Sequence, residues 1–133
     1  MLYPMFMLVL LTNVIIIIAA RARVASVRDG KVPLGYYRLM QGHDVPEFIA
    51  KSSRHVSNLF EVPTLFYAGG LAYLALGLEG ALAITCAWVF VGARFVHSFI
   101  HLGYNNVLHR MLAFGIGNLA ALVMWIAIML EAA

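Results

Sequence analysis

The chain has 133 residues, of which 63% are hydrophobic and 11% are charged, and its formal net charge is +3. A soluble domain is charged at roughly 25% of its positions, so this composition excludes an ordinary soluble fold and indicates a membrane protein. The length allows one domain, residues 1–133. No stacking or groove-reading motif accompanies the small positive charge, so we expect no nucleic acid partner.

Four apolar segments are long enough to cross a bilayer, which takes about 20 residues in a helix. They are Met1–Ala20, Phe60–Leu78, Ala81–Gly103 and Met111–Glu131. The sequence therefore predicts an all-α membrane protein, built as a bundle of four transmembrane helices.

Lysines and arginines predict the orientation of these segments. The connection between the first two segments carries Arg21, Arg23, Arg28, Lys31, Arg38, Lys51 and Arg54, whereas the Gly77–Gly80 turn and the C-terminal end carry none. Cytoplasmic loops are enriched in these residues. We therefore expect the long connection and the Tyr104–Arg110 turn in the cytoplasm, and both termini outside.

The second helix is predicted to begin before the membrane. Asp44, Pro46 and Glu47 are typical of a helix start with a capping box, so the helix would run from about Pro46 to Gly77. Pro63 cannot donate a hydrogen bond to the carbonyl of Leu59, which predicts a kink just past Glu61.

Two polar stripes interrupt the apolar pattern near the predicted cytoplasmic ends. The spacings i, i+4, i+7 and i, i+3, i+7 each place three residues on one helix face. Ionisable groups at membrane depth are costly and mark functional sites, so we expect the two stripes to converge on one polar site. The first stripe is Arg54, Asn58 and Glu61, and the second is Arg94, His97 and His101.

Simpler interpretations of these residues remain open. Arg54 could extend to the membrane interface, Asn58 could bridge two helices, and Glu61 could form a structural ion pair with Arg94. His97 and His101 could bind a metal ion together with Glu61. No HExxH pattern supports that reading, and we predict no metal.

The second segment, which carries the first stripe, resembles part of a known family. Arg54, Asn58 and Glu61, followed by Pro63 and the aromatic-rich run 65–67, look like the helix-2 signature of the MAPEG family, the membrane-associated proteins in eicosanoid and glutathione metabolism. The third segment is similar to that family's Arg-x-x-Tyr-x-x-x-Tyr pattern, with histidines in place of both tyrosines. The resemblance covers nearly the whole chain and points to a divergent bacterial-type member, hence to the bacterial inner membrane.

The resemblance implies a homotrimer of four-helix protomers, with glutathione sites at the cytoplasmic end between neighbouring subunits. The small-residue row Ala113, Gly117 and Ala121 is also suited to close helix contact. The implied function is that of a glutathione-dependent transferase or peroxidase, with glutathione as co-substrate and a lipophilic electrophile or hydroperoxide supplied by the lipid bilayer. The alternatives are a non-catalytic lipid-binding or scaffold subunit and a small proton or ion carrier.

The resemblance also assigns roles to single residues. Arg54 would hold a glutathione carboxylate, Asn58 would bond its backbone, and Glu61 would pair with its amino group. Arg94 would brace the site, and His97 and His101 would take the tyrosine positions. Arg110 is the nearest match to the arginine that stabilises the thiolate, and Arg38 is a weaker candidate from the first loop.

Overall fold

A computed structural model describes residues 1–42 and 44–133, and those residues form helices and connecting turns. Three of the helices, α1, α5 and α6, are long and apolar enough to cross a bilayer. They coincide with three of the four predicted spans, which confirms the all-helical membrane character. The helices are α1 (Leu2–Arg28), α2 (Tyr36–Leu39), α3 (Glu47–Asn58), α4 (Val62–Ala75), α5 (Ala81–Leu102) and α6 (Val107–Ala132).

Helix α1 continues past the end of its apolar segment. It reaches Arg28, so the basic residues Arg21 and Arg23 lie on the helix and not in a loop. The helix ends where Gly30 adopts a left-handed φ of 68°. A glycine takes that conformation without steric cost, which is the usual way to end a helix.

The predicted continuous second helix is wrong, because the chain breaks between α3 and α4. The amides of Leu59 and Phe60 still bond back into α3, and helical bonding resumes when the Thr64 amide donates to the Glu61 carbonyl at 3.2 Å. Pro63 has no N–H to offer the Leu59 carbonyl, so an unbroken ladder cannot form here. Helix α4 has 14 residues, about 21 Å of length, which is short of the hydrocarbon core of a bilayer.

The predicted capping box at the start of this region is also wrong. Helix α3 begins at Glu47 with Pro46 in the N-cap position, and no side chain bonds the first amides. Pro46 has no N–H of its own and its fixed φ suits a helix entrance, so the start does not require Asp44.

Helices α5 and α6 form the most extensive contact of the chain. Ala113, Gly117 and Ala121 are buried in it, and a Cβ on Gly117 would lie 3.6 Å from the Cβ of Ala93. The small-residue row therefore brings two helices of one protomer together. It is used inside the subunit and does not by itself support a trimer.

Other parts of the chain pack against the α5–α6 pair. Phe66 of α4 stacks on Phe90 of α5, with ring centroids 4.5 Å apart, and both side chains are fully buried. At the opposite end from the polar stripes, the Glu131 carboxylate accepts the amides of Glu79 and Gly80 at 2.9 and 2.7 Å. These contacts join α4 to α5 and the turn before α5 to the end of α6.

Candidate functional site

A polar pocket of about 440 Å³ opens where α3, the end of α5 and the start of α6 meet. Six of the eight predicted site residues line it, and three further residues complete the wall. The lining residues are Arg54, Ser57, Asn58, Glu61, His97, His101, Arg110, Met111 and Phe114.

The helix break places the carboxylate of this pocket. Arg54 and Asn58 lie one turn apart on α3, as their spacing predicts. Glu61 lies outside both helices, as the N-cap residue of α4, and still lines the same pocket. The convergence of the first stripe therefore depends on the break and not on one continuous helix face.

Arg94 lies beneath the pocket and does not line it. Its side chain is only 1% exposed, and its guanidinium donates to the backbone carbonyl of Asn58 at 3.2 Å. In a continuous helix that carbonyl would accept the amide of Val62, so the break frees it and Arg94 takes it. The guanidinium carbon also lies 5.4 and 5.2 Å from the ring centroids of Phe90 and Phe114. Arg94 thus braces the break from within the core.

A small hydrogen-bond network positions Arg110. Its Nη1 donates to Asn105 Oδ1 at 2.9 Å and lies 3.3 Å from His101 Nδ1. Asn105 stands in the turn between α5 and α6 with a left-handed φ of 51°, a conformation that asparagine tolerates better than most residues. The turn therefore directs the Arg110 guanidinium towards the end of α5 and into the pocket wall.

Three buried histidines pack against one another at the pocket, where His97 and His101 line the wall and His55 lies behind them. The ring centroids of His55 and His101 lie 4.9 Å apart, those of His55 and His97 5.4 Å, and those of His97 and His101 5.6 Å. His55 Nε2 bonds Ser98 Oγ at 2.8 Å. Burial, with a smaller contribution from the neighbouring positive charges, lowers the pKa of His55 to about 3, so this ring is neutral at physiological pH.

The charges in the pocket are left free to meet a ligand. Within residues 1–42 and 44–133, the side chains of Arg54 and Glu61 form no hydrogen bond or ion pair, and the Glu61–Arg94 ion pair that the sequence left open as an alternative is not formed. The ion pairs found there join Asp29 to Arg28 and Lys31 on the surface. A pocket with unpaired charges of both signs suits a zwitterionic or anionic ligand.

Two other predictions concern Arg38 and a metal site. Arg38 is exposed on the short helix α2 and does not line the pocket of its own protomer. No group of three histidine, cysteine or carboxylate side chains is positioned to hold a metal ion, as far as the described residues extend.

The sequence patterns missed three polar residues of this region. His55 follows Arg54 directly and points to the other side of α3, and Ser98 follows His97 in the same way on α5. Both belong to the buried layer in which Arg94 also lies. Asn105 was missed because it lies in a turn. Its position next to Asn106, which caps α6 by accepting the His109 amide, is the only signal the sequence carries.

Comparison with known proteins agrees with this architecture. A family model described as the MAPEG family matches residues 1–130. Searches of curated proteins and of solved structures returned no match. The family match spans essentially the whole chain, so this protein, with its apolar helices and its polar stripes on α3 and α5, belongs to the MAPEG family.

Proposed function

We propose that this chain is an integral membrane transferase or peroxidase that uses glutathione against lipophilic electrophiles or hydroperoxides. The observation that carries the proposal is the pocket with Arg54, Arg110 and Glu61 in its wall, in which the side chains of Arg54 and Glu61 have no hydrogen-bond or ion-pair partner within the described part of the chain. The carboxylates of glutathione complement Arg54, its ammonium group complements Glu61, and its thiol can ionise beside Arg110. Charge-assisted hydrogen bonds of this kind are about twice as strong as neutral ones.

Each residue then has a defined role. Arg54 binds a carboxylate of glutathione, Glu61 binds the ammonium group, and Asn58 bonds the peptide backbone. Arg110 stands beside the thiol. A free thiol has a pKa near 8.5, and an adjacent guanidinium favours the thiolate by about 1.4 kcal/mol for each pKa unit it is lowered. Arg94 acts through the backbone of Asn58 and does not touch the ligand.

The bilayer supplies the second substrate by lateral diffusion, and the enzyme brings the thiolate and the electrophilic atom together. We place the protein in a bacterial inner membrane with the basic connection in the cytoplasm and both termini outside. The break between α3 and α4 lies at the cytoplasmic interface in this arrangement, and α4 makes the fourth, shorter crossing.

We further propose a homotrimer. The pocket of one protomer is open on one side, and a neighbouring subunit would close it over the glutathione. Arg38 lies outside the pocket of its own chain, so any role for it in binding requires it to reach a neighbouring subunit's pocket. Native mass spectrometry in mild detergent tests this state, and a monomer alone would contradict it.

The test of the function combines calorimetry with the ultraviolet absorbance of the thiolate. Glu61→Gln removes the partner of the ammonium group and should weaken glutathione binding by about 1.5–3 kcal/mol, roughly 10- to 150-fold. Arg110→Ala should leave binding nearly intact while removing the thiolate signal and the conjugation of a lipophilic electrophile. Arg28→Ala, on the surface at the end of α1, is the matched control.

Two outcomes would favour other functions. Binding of glutathione without any thiolate in the wild type would support a non-catalytic binding or scaffold subunit. Absence of binding, together with proton flux in proteoliposomes, would support a carrier that uses Glu61 and the buried histidines.

A further inference from the structure

The three buried histidines form a group that the proposed binding roles do not use. We refer to His55, His97 and His101 as the histidine cluster. All three side chains are at least 98% buried, and His97 and His101 also line the pocket. The cluster therefore connects the pocket wall to the interior of the bundle.

Hydrogen bonds fix which nitrogen of His55 carries the proton. The Ser98 hydroxyl has one proton, and it donates that proton to the carbonyl of Arg94 at 2.8 Å. Ser98 Oγ must therefore accept from His55 Nε2, which lies 2.8 Å away. The lone pair of His55 consequently lies on Nδ1, which is buried and has no hydrogen-bond partner within residues 1–42 and 44–133.

Two neighbours compete for Nδ1 of His101. The Arg110 guanidinium only donates, so the atom of Asn105 that faces it at 2.9 Å must be the side-chain oxygen. His101 Nδ1 lies 3.2 Å from that oxygen and 3.3 Å from Arg110 Nη1, so it donates to the first in one tautomer and accepts from the second in the other. Nε2 of His101 and Nδ1 of His97 are buried and have no hydrogen-bond partner among the described residues.

Unpaired buried polar atoms are rare and cost about 1–3 kcal/mol each. His55 Nδ1 is such an atom, and it carries a lone pair. Each neutral ring of the cluster keeps one basic lone pair, and the three rings touch one another, so the cluster offers a proton acceptor next to the pocket.

The surrounding charges affect whether the histidine cluster is protonated. Arg94 of α5 and Arg110 of α6 oppose a proton on His55, and Arg54 and Glu61 lie in the wall of the adjoining pocket. Burial, together with these positive charges, keeps His55 neutral in the free protein. A ligand that pairs its carboxylate with Arg54 and forms a thiolate beside Arg110 offsets two of these charges.

We propose that the histidine cluster is the proton acceptor for the thiol that ionises in the pocket, a role that rests on the proposed function. The thiol and a neutral imidazole become a thiolate and an imidazolium, with the proton entering through His97 or His101. The thiolate then attacks the electrophilic carbon, and the imidazolium returns the proton to the carbanion or the leaving group. The net reaction adds the whole thiol across the acceptor or exchanges it for the protonated leaving group.

Proton counting tests the inference on the intact protein in lipid nanodiscs. Calorimetry in buffers of different ionisation enthalpy gives the protons released on binding, first with glutathione and then with S-methylglutathione, which has no thiol proton. The difference between the two ligands isolates that proton, while the thiolate absorbance reports its departure from sulfur. The variants are His55→Gln, which lies behind the pocket, and His97→Gln. The control is His109→Gln, an exposed residue outside the cluster.

We expect the wild type and His109→Gln to form the thiolate and to release about zero extra protons, because the cluster retains the proton. His55→Gln and His97→Gln should release about one proton per thiolate, or lose the thiolate at neutral pH. Release of about one extra proton by the wild type overturns the inference and leaves glutathione catalysis standing. Since this comparison needs no variant, it decides the question even where a substitution prevents folding. Failure of glutathione to bind overturns the proposed function and this inference together.

Discussion

The pairing of His55 with Ser98 gives the sharpest test of the buried layer. Ser98→Ala removes the hydrogen-bond partner that the His55 N–H has among the described residues, and that N–H stays buried. Leaving a buried donor unpaired costs about 1–3 kcal/mol. The other bond of the Ser98 hydroxyl, to the Arg94 carbonyl one turn back, is local to α5 and adds little. We therefore expect a loss of about 1–3 kcal/mol in the free energy of unfolding.

A second substitution separates this cause from a general loss of packing. In a His55→Leu background there is no N–H to satisfy, so Ser98→Ala should then cost less than about 0.5 kcal/mol. Thr85→Ala is the matched control, because the Thr85 hydroxyl makes the same kind of bond to a carbonyl one turn back, on an exposed face of α5. It should be close to neutral.

The assay is unfolding in mixed micelles with increasing dodecyl sulfate, followed by circular dichroism. Equal costs of Ser98→Ala in the two backgrounds would refute the hydrogen-bond reasoning. A cost no larger than that of Thr85→Ala would do the same, since it would mean that the His55 N–H finds another partner.

The remaining predictions concern pH, helix contact and topology. The pKa of His55 is about 3 in the folded protein and about 6.5 in the unfolded chain, so the unfolded state binds more protons between these pH values. The free energy of unfolding should therefore fall as the pH drops below about 6.5, by about 2 kcal/mol at pH 5. His55→Gln should flatten this part of the pH profile of unfolding, and an unchanged slope would contradict burial of His55 as the cause. Gly117→Leu should force α5 and α6 apart and lower the free energy of unfolding in the same assay. Gly115→Leu should not, because a Cβ at Gly115 meets no atom within 4 Å. Equal effects of the two substitutions would contradict the packing of α5 against α6. Reporter fusions should place Ala133 outside the cytoplasm and residues 28–31 inside it, and the reverse labelling would move the proposed site to the wrong side.

Local information was enough for most of the fold. Apolar length predicted α1, α5 and α6 because a helix in lipid satisfies its own backbone and needs only about 20 apolar residues. Helical spacing brought Arg54 and Asn58 to one face, and His97 and His101 to another, because residues three, four and seven apart on a helix always share a side. The family signature, which rests on the same spacing, was confirmed by the match over residues 1–130.

Spacing failed where the backbone left the helix. The carboxylate of Glu61 reaches the pocket because the chain breaks before Pro63, and the break is stable because Arg94 bonds the carbonyl it frees. Proline in the sequence indicates that a backbone hydrogen bond of the helix is lost. Only the tertiary contact with Arg94 decides between a full break and the predicted kink, because the buried carbonyl that a break frees must find another donor.

The sequence by itself determined the membrane class, the helical architecture, the family and the chemistry that gathers at one end of the bundle, because these follow from composition and from a fixed helical period. Only the tertiary structure decided that Arg94 lies below the pocket and not in it, and that His55 joins His97 and His101. Those outcomes depend on which helix faces meet, and each face of α3 contacts a different neighbour. A helical wheel shows how residues are arranged around the axis of one helix. Which residues of two helices meet is determined by how α3 packs against α1 and α5, and the sequence of one helix does not specify that packing.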